Sequence, residues 1–84
     1  MKKYTVVKIK SGDGWHENKG TVNTWDFDNV NSAMKFMLDD SEDMTAKWPE
    51  LCDITTSLAI EPVMLFAAKN WDFCVSYHIV TSEV

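Results

Sequence analysis

The chain predicts an α+β fold, a two-layer sandwich in which one main helix covers a four-stranded antiparallel sheet in the order β-β-α-β-β. Three observations carry this. Trp71, Phe73, Val75, Tyr77 and Ile79 alternate with Asp72, Cys74, Ser76 and His78, the two-residue period of a half-buried strand. Val30, Ala33, Met34, Met37 and Leu38 recur at helical spacing, one apolar stripe suited to lie on a sheet. Ten aromatic residues and 45% apolar content in 84 residues describe one small folded domain, 1–84, rather than a disordered chain.

Lys3–Lys10 alternates and is β-branched, with Tyr4 and Val6 on one side and Thr5, Val7 and Ile9 on the other; it reads as the first strand. Ser11–Gly20 holds all three glycines and reads as a loop or wide hairpin connection. Thr21–Phe27 is the second strand, with Trp25 and Phe27 inward. Asp28 or Asn29 caps the helix, because either side-chain oxygen can accept from an unpaired backbone N–H. Carboxylates oppose the dipole at a helix C-terminus, so the helix is expected to fray or stop at Asp39-Asp40. Asp39–Asp53 then reads as a polar connection, in which Pro49 begins a short helical turn carrying Leu51 and Ile54. Leu58–Ala68 is almost wholly apolar and fits a buried strand or a helix from Pro62. Pairing it with the alternating segment through a tight turn at Lys69-Asn70 favours the strand. Pro62 belongs at an edge or bulge, since it has no N–H to donate.

The charge excludes several chemistries. The chain has eight lysines, no arginine and 13 carboxylates, for a net charge of −5. It therefore has no bidentate guanidinium for phosphate or carboxylate, and direct nucleic-acid binding is disfavoured. Lys2, Lys3, Lys8 and Lys10 are explained as charges solvating an edge strand. Lys8 and Lys10 interrupt what would otherwise be a signal-peptide core. No run approaches the ~20 apolar residues of a membrane span. A cytoplasmic protein with two reduced thiols, Cys52 and Cys74, is the expectation.

No cofactor, metal site or catalytic centre is read. Asp39, Asp40, Glu42 and Asp43 cluster, but a calcium loop beginning at Asp39 would have Met44 where glycine is needed and Lys47 at a ligand position. His16, Cys52, Cys74 and His78 lack the close ligand pairs of zinc sites. Cys74 and His78 lie about 13 Å apart along one strand at ~3.3 Å per residue, too far for a nucleophile and its base. GxSxG, HExxH and phosphate-loop patterns are absent.

What remains is a non-enzymatic binding protein. Eight acids and two lysines lie between Asp26 and Asp53, a bias that speeds encounter with a basic protein surface. Four tryptophans exceed what so small a core encloses. Trp25 and Trp71 are assigned inward, leaving Trp15 and Trp48 as partly exposed anchors. The expected contact set is Asp39, Asp40, Glu42, Asp43, Trp48 and Trp15. In size and charge the chain resembles the compact acidic proteins with which bacteriophages occlude host machinery, anti-CRISPR proteins and DNA mimics among them. The resemblance implies a stoichiometric inhibitor or adaptor seated in a basic groove. A homodimer paired through an open edge strand and a small enzyme with an unfamiliar site are the alternatives.

Overall fold

A computed structural model describes residues 1–12, 21–58, 62–69 and 71–83. The chain is α+β, with one helix on a five-stranded antiparallel sheet. The elements are β1 (Lys2–Ser11), β2 (Val22–Phe27), α1 (Val30–Lys47), β3 (Cys52–Ser57), β4 (Val63–Ala67) and β5 (Cys74–Glu83). The strand order is β2-β1-β5-β4-β3. The two ten-residue strands pair along their full length, from Lys2 opposite Glu83 to Ser11 opposite Cys74.

The fifth strand corrects the expected four. β3 begins at Cys52-Asp53, the end of the expected polar connection, and runs through Ile54, expected on a helical turn. All six of its residues are exposed, so it carries no buried-face pattern. Its Ile54-Thr55-Thr56 run is nevertheless β-branched and fits a pleated edge, and a register shift lies between Asp53 and Thr55.

The helix does not stop at Asp39-Asp40; it continues to Lys47. Topology needs more than nine residues here. The chain must pass from β2 at one edge to β3 at the other, about 19 Å across four strand spacings. Eighteen residues span about 27 Å, whereas nine would span about 14 Å. Local chemistry permits it too: Lys35 pairs with Asp39 and Lys47 with Asp43 at i,i+4 spacing. The apolar stripe shifts as it lengthens. Ala33, Met37, Ser41 and Met44 are the buried positions, while Leu38 is exposed. Asn29 is the cap, accepting from the Ser32 N–H at 2.8 Å. At the other end the Trp48 N–H donates to the Met44 carbonyl. Pro49 and Glu50 form a turn that leads directly into β3, so Ile54 sits on a strand rather than a helical turn.

The core lies between α1 and one sheet face, built from Val6, Met64, Phe66, Val75, Tyr77 and Ile79 beneath Ala33, Met37 and Met44. Trp25, Phe27 and Phe36 close one flank, with Phe36 4.6 Å from the Trp25 ring. Pro62 immediately precedes β4 and its carbonyl accepts from the Ile79 N–H, a position that needs no donor.

The lysines of β1 are not edge charges. β1 lies between β2 and β5, and Lys8 is 7% exposed. Trp71 is also displaced from its expected inward place. It precedes β5 and is 55% exposed.

Candidate functional site

Three segments converge beyond the C-terminal end of α1. They are Trp48–Leu51, the connection 68–73 between β4 and β5, and Gly12 at the end of β1. Trp48 stacks on Phe73 with ring centroids 5.6 Å apart. Glu50, Ala68, Lys69 and Phe73 line a groove of about 580 Å³ open to solvent.

The connection is held by its backbone. The Ala68 N–H donates to the Phe73 carbonyl at 2.8 Å, and the Trp71 N–H to the Ala68 carbonyl at 2.9 Å. Asn70, half of the expected tight turn, lies outside the described residues. Trp71 has a φ of 63°, a left-handed conformation that hairpin closures ordinarily give to glycine. In an L-residue it costs roughly 1–2 kcal/mol. The same connection presses on β1. A Cβ on Gly12, whose φ is 101°, would lie 2.3 Å from the Asp72 carbonyl oxygen. The site thus combines a strained, exposed indole with a neighbouring aromatic pair.

The four clustered acids do not share one environment. Asp39, Glu42 and Asp43 are on the exposed side of α1. Asp39 accepts from Lys35 Nζ at 2.9 Å, and Asp43 lies 3.3 Å from Lys47 Nζ. The hydrogen bond from Lys35 to Asp39 holds that ammonium above its ordinary pKa. Asp40 turns toward the sheet. Its Oδ2 lies 2.8 Å from Lys8 Nζ and accepts from the Tyr77 hydroxyl at 2.7 Å. Burial, then the hydrogen bond to Asp40, drives the Tyr77 phenol far above its ordinary value. Lys10, farther along β1, is lowered by burial and by the charge of Lys8.

Of the expected contact set, the described residues bring Asp43 and Trp48 to the same end of α1, with Asp39 and Glu42 on the exposed surface leading to it. Asp40 belongs to the interior network. Trp15 lies outside the described residues, as does His16. Sequence reasoning missed Trp71 as a surface residue. Its place in the alternation argued for burial, although the preceding Lys69-Asn70 turn was a signal that it could fall before the strand.

Among the described residues, no three His, Cys, Asp or Glu side chains converge to hold a metal ion. No helix there is long and apolar enough to cross a membrane. Cys52 and Cys74 both register with Ala67, on strands either side of β4. That separation is about 10 Å, beyond the ~7 Å reach of a disulfide. No protein-family model, curated protein or solved structure matches the chain.

Proposed function

We propose that this chain is a small non-enzymatic binding protein, an inhibitor or adaptor that docks on a basic protein surface through its aromatic end. Trp71 and the Trp48–Phe73 pair are the anchors, and Asp39, Glu42 and Asp43 guide the approach. The observation that carries this reading is Trp71 itself: a large indole left 55% exposed on a backbone conformation that penalises it. Strained residues persist where the surrounding structure imposes them and cluster at functional positions. Tryptophan is among the residues most enriched at binding hot spots. The net charge of −5 selects a partner of opposite sign and raises the encounter rate.

The test separates folding from contact. Trp71→Gly removes the indole and relieves the backbone, so the variant should fold with unchanged or slightly higher stability. Affinity for a partner captured from the lysate of the source cell should fall at least tenfold. The triple reversal Asp39→Lys, Glu42→Lys, Asp43→Lys should slow association and flatten its salt dependence. Binding unchanged in the Trp71→Gly variant would refute the anchor. Binding unchanged in the reversal would remove the acidic face from the contact.

A further inference from the structure

The sheet has a second face, opposite α1, whose central side chains are half-buried and whose outer ones are exposed. The strand registers define its side chains. Val22, Ile9, Ser76, Leu65 and Thr55 form one row across the five strands, and Thr24, Val7, His78, Val63 and Ser57 form the next. Asp26, Thr5 and Val80 extend the face toward Lys3. Val22 is 57% and Val80 52% exposed. The charges on it sit at one end, where Lys3 Nζ is 3.9 Å from Asp26 Oδ2.

We propose that this face is the contact between two copies of the chain, packed sheet to sheet. Area supports the assignment. Five strands at about 4.8 Å spacing and five residues at about 3.3 Å rise give a flat footprint of about 400 Å². With side-chain relief, two copies bury about 1,000–1,200 Å² in total, the lower limit of a specific interface. A footprint this small must be used whole, and a copy of the same flat face matches its full extent. Two pleated sheets of small and β-branched side chains interlock when their strands cross at about −30°.

Charge supports the same occupant. Two copies at −5 each repel through most approaches. The two central rows carry no acid or lysine, so self-contact there brings no like charges together. The basic surface drawn by the acidic helix gains no charge complementarity on this face.

Sedimentation equilibrium from about 1 µM to 1 mM tests this, because an interface at the lower size limit implies weak association. The expected result is a monomer–dimer equilibrium with Kd in the tens of micromolar. Val7→Lys places a charge in the central row yet remains solvated in the monomer, and should weaken the dimer at least tenfold. Thr56→Lys, on the exposed edge strand β3, should leave it unchanged. A monomer at every concentration overturns the proposal. So does a dimer lost with Thr56→Lys and retained with Val7→Lys, which would indicate edge pairing. Occupation of the face by a different protein, seen as hydrogen-exchange protection of β1 and β5 in a monomeric chain, overturns it as well.

Discussion

Lys8 Nζ, on the sheet, and Asp40 Oδ2, on the helix, meet at 2.8 Å beneath α1. The same carboxylate oxygen accepts from the Tyr77 hydroxyl, and the ammonium stands 5.7 Å from the centre of the Tyr77 ring. One helix residue thereby fixes two adjacent central strands. The pair gives the helix a polar register mark that apolar contacts alone lack.

Breaking the pair on one side should cost more than removing it whole. Asp40→Asn leaves a desolvated ammonium and should destabilise by about 2–4 kcal/mol. Replacing the group together, as Lys8→Met, Asp40→Leu, Tyr77→Phe, should return stability to within about 1–2 kcal/mol of the parent. Urea titration of the variants measures both. Equal losses in the two would show that the network contributes only packing.

The alkaline limb of stability should report Tyr77. Its pKa in the fold lies above its ordinary value near 10.0, so the folded chain holds the phenol proton more tightly than the unfolded chain does. Below pH 10 that contribution is fully present. Above it the unfolded phenol ionises first, the unfolded state binds fewer protons, and stability falls with rising pH. Tyr77→Phe should lose about 1–3 kcal/mol near neutrality. It should also show a shallower fall from pH 10 to 11.5. Identical slopes in parent and variant would exclude Tyr77 as the source.

Gly12 should tolerate no side chain. Gly12→Ala would bring a Cβ against the Asp72 carbonyl on a backbone with φ of 101°. A loss of about 2–3 kcal/mol is expected, from overpacking together with backbone strain. Thermal unfolding checks this, and a Tm within 2 °C of the parent, about 0.5 kcal/mol for a domain this size, would contradict the close approach.

The elements that bury one face were legible in the sequence. Val6, Val75, Tyr77 and Ile79 declare their strands by alternation, and the Asp28-Asn29 pair declares the helix start by its side-chain chemistry, with Asn29 the residue that caps. Burial writes a period only where one face is dry, which is why β3 was not legible: Cys52–Ser57 is wet on both faces. The helix end was misread for a related reason. Asp39 and Asp40 resemble a terminus locally, whereas the distance between the two sheet edges demands at least one more turn. Lys8 looked like a solvating charge because its partner, Asp40, is 32 positions away. Of the proposed contact residues, Trp48, Asp39, Glu42 and Asp43 could be named from the sequence. Trp71 was hidden because strict alternation does not reveal where a strand begins.

Amide hydrogen exchange on the chain alone and with its captured partner measures the proposed contact most directly. New protection should concentrate in residues 47–51 and 68–73, with Trp71 and Phe73 among the most slowed and the N-terminal half of α1 unchanged. Protection confined to the first turns of α1 or to the free edge of β2, with 68–73 exchanging as fast as in the isolated chain, would contradict it.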